Sequence, residues 1–182
     1  EGYRHFLNKI WNASRLVLEL AEGTEVPAKA PSAKGFFNKW ILGKLSDAAR
    51  ISSAGIAAFR IDEAATEAYR FFWDDVCAWF LEIAKGIVRD NTDAALAAET
   101  KETLLYVLDA SLRLLHPITP YVTEELWQRL PHAQTVREAT QFKKAFSIAL
   151  ADYPRESDTV KDESVLRDMT LLQDVIGAAR TI

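Results

Sequence analysis

Apolar residues recur at three- and four-residue steps along almost the whole chain, the period of helices that bury one face. Over residues 3–22 the stripe is Tyr3, Phe6, Leu7, Ile10, Val17 and Leu18, and Gly23 follows as a left-handed stop. Pro27, Pro31 and Gly35 mark 23–35 as a loop. A second helix is predicted from Phe36 to Phe59, with Trp40, Ile41 and Leu45 inward and its last turns weakened by Ser52, Ser53 and Gly55. A third is predicted from an Asp62 N-cap to about Lys85, with Gly86 and Asp90-Asn91 marking its exit. Its stripe of Ala65, Tyr69, Phe72, Trp73, Val76, Trp79, Phe80 and Ile83 is aromatic nearly all round, which predicts the most buried helix.

The fourth helix is predicted from Thr92 or Asp93 to about His116, because Pro117 disfavours helix in the residue before it. Thr119-Pro120 then offers an N-cap and an N1 proline for a short helix to Leu130, closed by Pro131. Residues 131–161 are mixed, and only Ser147–Tyr153 reads as extended. A last helix, from about Asp162 to Ile182, carries Val165, Met169, Leu172, Ile176 and Ala179. Five consecutive helices with short connections describe an all-α antiparallel bundle, and the strand–helix alternation of a nucleotide-binding domain is absent. The expected division is a bundle over 1–154, with 155–182 as a linker and the start of a further helix.

Composition narrows the class. In 182 residues, 49% are apolar and 26% charged, a globular balance. No uncharged apolar run is long enough for a membrane span. One cysteine excludes a disulfide framework and a cysteine-rich zinc site. The first residues, Glu1-Gly2-Tyr3, read as the start of a segment of a longer, intracellular chain. The net charge of −4 makes no global case for nucleic acid, but residues 1–60 carry a net +4 and residues 61–182 a net −8. A basic first third is either a face for a polyanion or uneven surface charge.

Catalytic groupings are weak. His5, His116 and His132 share no metal-ligand spacing, and His116, at a helix end before proline, suits a structural bond. Asp74 and Asp75 point about 100° apart on a helix, so one is expected to face solvent and the other to join a surface ion pair. Glu124-Glu125 favours a helix dipole, Cys77 among aromatics is a small core residue, and no glycine-rich phosphate loop occurs. The first helix differs. Arg4, Asn8, Asn12 and Arg15 are spaced by four, four and three, which puts two guanidinium groups and two amides on one face, flanked by His5 and Lys9. Arginine binds phosphate bidentately and asparagine offers a donor and an acceptor to a base edge. Alternatively the arginines form a solvated face and the asparagines, Asn12 beside Trp11 above all, are buried and bond neighbouring helix ends. Trp11, Trp40, Trp73, Trp79 and Trp127 are either base-stacking platforms or, better matched to their apolar stripes, core.

Longer runs add a resemblance. Gly2-Tyr3-Arg4-His5-Phe6-Leu7-Asn8-Lys9-Ile10-Trp11-Asn12-Ala13-Ser14-Arg15 resembles the opening of the anticodon-binding domain of valyl-tRNA synthetases. Asn38–Leu42 is similar to the start of that domain's second helix, and 59–85 to its third. The run HPITPYVTEELWQRLP (116–131) resembles its most characteristic motif, 147–154 the extended strand that follows, and 175–182 the helix into a junction region. Asn38-Lys39 stands where Asp-Arg is usual and Gly86 where proline often follows the lysine, departures that touch helix capping. The motifs belong to the class I synthetases for branched-chain amino acids, and the first helix favours valine over isoleucine or leucine.

That resemblance implies a domain that grips the anticodon stem-loop of valine tRNA. Arg4, Asn8, Lys9, Asn12 and Arg15 are then the candidate RNA-binding residues. Neither class I signature, His-Ile-Gly-His or Lys-Met-Ser-Lys-Ser, occurs, so no catalytic residue, metal or cofactor is expected in this segment. ATP, magnesium, and the catalytic and editing domains would belong to the cytoplasmic parent chain. Neither membrane nor DNA is an expected partner. Valine codons begin G-U, so the tRNA would share adenine at the second anticodon position and cytosine at the third. A helical protein-interaction scaffold remains the alternative of another class.

Overall fold

A computed structural model describes residues 2–132 and 147–180. Helix α1 (Gly2–Leu20) runs into a turn that closes at Gly23, whose φ of +79° leads the chain into the following loop. Helix α2 (Phe36–Ala57) carries Trp40, Ile41 and Leu45 fully buried, as its period predicts. Its N-terminus is capped from outside the helix. The Glu99 carboxylate accepts the Lys34 and Gly35 N–H groups, each at 2.9 Å, and the Asn38 amide at 2.8 Å. Burial alone would raise the Glu99 carboxyl, but these three donors outweigh it and hold it below its ordinary value.

Helix α3 (Ile61–Arg70) begins one residue before Asp62, which sits in the first turn and does not cap it. The chain continues without a break through a π-helical stretch (Phe71–Phe80) into α4 (Leu81–Asp90), where Asn91 closes the helix in the left-handed conformation. The expected end near Lys85 is therefore five residues short, and Gly86 lies inside the helix. In the π-helical stretch, bonds such as Leu81 N–H to the Val76 carbonyl widen the turn and shift which residues face inward. Phe71, Phe72, Val76, Cys77 and Phe80 are buried, while Trp73 and Trp79 are only half-buried. The same shift turns Asp75 into the interior, where Arg70 Nη1 meets it at 2.8 Å and Lys44 Nζ at 3.8 Å. Asp74 stays exposed, so the expected surface pair is a buried one.

Helix α5 (Ala94–Leu115) is capped by Asp93, which accepts the Ala95 and Leu96 N–H groups. It is the central element, with Leu104, Leu105, Leu108, Leu112 and Leu114 fully buried. Helix α6 (Pro120–Gln128) starts at the expected proline, but the Thr119 hydroxyl donates back to the Leu115 carbonyl at 3.2 Å and does not cap it. His116 Nδ1 meets the Thr123 hydroxyl at 2.8 Å, a structural bond across the α5–α6 corner. Residues 147–153 form no strand: the Ser147 hydroxyl accepts the Ala149 N–H and starts a single 3₁₀ turn, Ile148–Leu150. A second such turn, Glu156–Asp158, leads to α7 (Glu163–Arg180), which Asp162 caps and which packs Val165 and Met169 onto the bundle. Among the described residues the architecture is all-helical, with one isolated bridge between Val26 and His132.

Candidate nucleic-acid interface

Phe6, Ile10, Ala13, Val17 and Leu20 bury one side of α1. The 3.6-residue period then forces the residues between them outward. Arg4, His5, Asn8, Asn12 and Arg15 are all exposed. The structure thus brings the four residues at the predicted spacing onto one solvent-facing strip, and the burial alternative for Asn12 does not hold. Among the described residues no hydrogen bond or ion pair engages Arg4, Asn8, Asn12 or Arg15. Elsewhere arginines hold carboxylates: Arg60 with Glu63, Arg70 with Glu67 and Asp75, Arg113 with Asp109, Arg129 with Glu125.

Lys9 stands apart from the strip. Its ammonium lies 3.3 Å from the centroid of the Trp73 ring and 3.4 Å from the Trp73 carbonyl oxygen. This contact ties α1 to the π-helical stretch, beside the parallel stack of Tyr69 on Trp73. On the other edge of the strip, Arg129 places its guanidinium 4.9 Å from the Trp11 ring centroid. Sequence spacing missed Arg129, because it follows α6 and reaches α1 only through the fold. Of the five tryptophans, Trp40 and Trp127 are core, whereas Trp11, Trp73 and Trp79 keep part of their surface.

Arg129 is held by Glu125, and a buried polar cluster lies beside it in sequence. Asp109 of α5 accepts from Trp127 Nε1 at 2.6 Å, His132 Nε2 at 3.1 Å and Arg113 Nη2 at 2.6 Å. Burial alone would raise the Asp109 carboxyl, yet Arg113, His132 and Trp127 outweigh it and hold it below the ordinary range. Next to His132, the Pro131 carbonyl accepts the Val26 N–H at 2.8 Å and pins the loop after α1 to the end of α6.

The anticodon-binding domain of tRNA ligases matches residues 38–182. The valine–tRNA ligase of Neisseria meningitidis serogroup B is 41% identical, across the whole chain and 19% of its own length. That of Xanthomonas euvesicatoria pv. vesicatoria is 40% identical across the whole chain and 18% of its own length. That of Enterococcus faecalis is 37% identical over 98% of the chain and 19% of its own length. The chain belongs to the family of tRNA-ligase anticodon-binding domains. It spans about a fifth of the curated relatives it matches. The match at 38–182 begins after α1, so the polar strip of this anticodon-binding domain lies in the part covered by the full-length alignments with valine–tRNA ligases. Among the described residues no group of three or more His, Cys, Asp or Glu could hold a metal, and no helix is long and apolar enough to cross a membrane.

Proposed function

We propose that this domain binds the anticodon stem-loop of valine tRNA on the outer face of α1, as part of a longer valine–tRNA ligase. The observation that carries the reading is the strip itself: two arginines and two asparagines, exposed and without partners among the described residues. It lies in a chain that aligns end to end with valine–tRNA ligases at about 40% identity. Arg4 and Arg15, at opposite ends of the strip, hold phosphates, because a guanidinium fits a phosphate bidentately. Asn8 and Asn12 lie between them and address the adenine of the anticodon, whose edge pairs with a side-chain amide. Lys9 adds charge at the edge. Residues 1–154 form the RNA-binding bundle and 155–182 lead toward a junction. Activation of valine by ATP with magnesium, and transfer to the tRNA, fall to catalytic and editing domains in the rest of the parent chain.

Competition among tRNA species tests this reading. Labelled valine tRNA bound to the 182-residue chain should be displaced by unlabelled valine tRNA at lower concentration than by isoleucine or leucine tRNA. Asn8→Ala and Asn12→Ala should keep the fold and lose discrimination at the second anticodon base. Equal displacement by all three tRNAs would reassign the amino acid. No tRNA binding at all would favour a protein-interaction scaffold.

A further inference from the structure

The end of the bundle where α2 passes into α3 and α5 into α6 carries apolar side chains that the core does not use. Phe59 is 92% exposed and Tyr121 91%, and Ile56, Ile61 and Ile118, close to them in sequence, are exposed as well. The two corners are tied together. The Tyr153 hydroxyl donates to the Leu114 carbonyl of α5 at 3.4 Å and meets the Ser52 side chain of α2. Ser52 Oγ in turn lies 3.4 Å from the Ala64 carbonyl oxygen of α3. Phe59 is held there in a costly conformation. It ends α2 with φ +59°, its N–H donating to the Ile56 carbonyl at 3.0 Å and the Arg60 N–H to the Gly55 carbonyl at 2.8 Å. This is the left-handed helix stop that glycine fills best. The two other left-handed positions among the described residues hold Gly23 and Asn91, residue types that adopt it easily. At the α2 stop the sequence places a bulky ring and leaves it in water. Tyr121 is set as firmly, one residue after the N1 proline of α6.

We infer that these two corners form a docking surface on which Phe59 and Tyr121 anchor another domain of the parent ligase, through an apolar pocket with a basic rim. The inference rests on the proposed place of this chain in a longer valine–tRNA ligase, the relatives of which it spans by only about a fifth. Area selects a domain over a second copy. Two aromatic side chains and three isoleucines present roughly a few hundred Å². That is the scale of an inter-domain contact of about 600–1,500 Å² in total. It falls well short of the roughly 2,000 Å² or more of an obligate dimer. Charge selects protein over RNA. Asp62 and Glu63 open α3, and Glu124 and Glu125 lie in α6, so carboxylates that repel a phosphate backbone flank both rings. Arg60, the cation next to Phe59, is already paired with Glu63 at 3.0 Å. Lysine or arginine around the partner pocket complements that acidity. A few aromatic anchors, once desolvated, carry most of the energy of such a contact.

Hydroxyl-radical footprinting reads the two rings directly. In the 182-residue chain Phe59 and Tyr121 should be oxidised nearly as fast as in urea. In the full-length ligase that contains it, both should react roughly fivefold more slowly, as anchors do in a desolvated pocket. Phe59→Gly suits the left-handed stop and keeps the fold, and in the ligase it should return Tyr121 to its fast rate. Rings that react as fast in the ligase as in the short chain would overturn the docking surface. Tyr121 keeping its protection in the Phe59→Gly ligase would overturn the shared anchor. Protection already present in the short chain and rising with its concentration would assign the surface to a second copy. Protection that appears only with added tRNA would assign it to RNA, and either result contradicts the inference. Binding of valine tRNA is followed in the same samples. Normal binding with fast rings strikes the docking surface alone, and slow rings without binding strike the anticodon reading alone.

Discussion

The outer face of α1 and the α5–α6 seam use similar residue types and treat them in opposite ways. In the seam, Arg113, Trp127 and His132 all bond the Asp109 carboxylate, and the group is largely dehydrated. On α1, arginines and amides of the same hydrogen-bonding capacity face water without a partner among the described residues. A buried charge left unpaired is strongly destabilising, so the Asp109 carboxylate must keep its donors. An exposed one keeps its hydration until a ligand replaces the water. The seam therefore defines geometry, and the α1 face keeps its polar groups open to solvent.

The largest effect that separates them is on stability. Asp109→Ala strips the partner from Arg113 in a buried setting and should lower the unfolding free energy by about 3–5 kcal/mol in a urea titration. Trp127→Phe removes one donor to the same carboxylate and should cost roughly 1.5–3 kcal/mol. At the other extreme, Arg4→Ala and Asn8→Ala should stay within about 0.5 kcal/mol of wild type, as for exposed residues without contacts. A large loss in either α1 variant would erase the contrast.

A smaller and subtler comparison sits inside the core. Asp109 and Asp75 are both buried carboxylates, but their pKa values move in opposite directions. At Asp109 the donors outweigh burial and the pKa falls; at Asp75 burial outweighs Lys44 and Arg70 and the pKa rises. Asp109 therefore contributes stability that is full above the unfolded carboxylate value of about 3.9 and is lost as pH drops through the lower folded value. Asp75 binds its proton more readily in the folded chain, so its contribution improves as pH drops through its raised folded value. The stability difference between wild type and Asp109→Asn should shrink in acid, and the difference between wild type and Asp75→Asn should rise. Parallel curves for the two variants would refute the opposed roles.

Periodicity made the helices legible, and with them the strip on α1, because a regular 3.6-residue helix fixes which side chains share a face. The π-helical stretch broke that rule locally. A wider turn cannot be seen in a stripe counted at the α-helical period, which puts Asp75 at the surface and Trp73 and Trp79 inward. Thr119 looked like a cap, but its hydroxyl found the preceding carbonyl first, the usual competition of threonine with its own backbone. Ser147–Tyr153 reads as extended, but the Ser147 hydroxyl accepts the Ala149 N–H and folds Ile148–Leu150 into a turn. The place of Arg129 against Trp11 depends on which helices pack together. That information is tertiary, and the short run between Trp127 and His132 carries no period to reveal it.

Whether α1's outer face is the RNA-binding surface is decided most directly by the salt dependence of binding. The 182-residue chain and its Arg4→Ala/Arg15→Ala variant would be titrated with the anticodon stem-loop of valine tRNA across a salt series. Each phosphate contact contributes roughly 0.7–0.9 to the slope of log affinity against log salt. The double variant should bind more weakly at low salt, with a slope shallower by about 1.4–1.8, and should unfold like wild type. A double variant with the wild-type slope and affinity would show that the strip is only a solvated face.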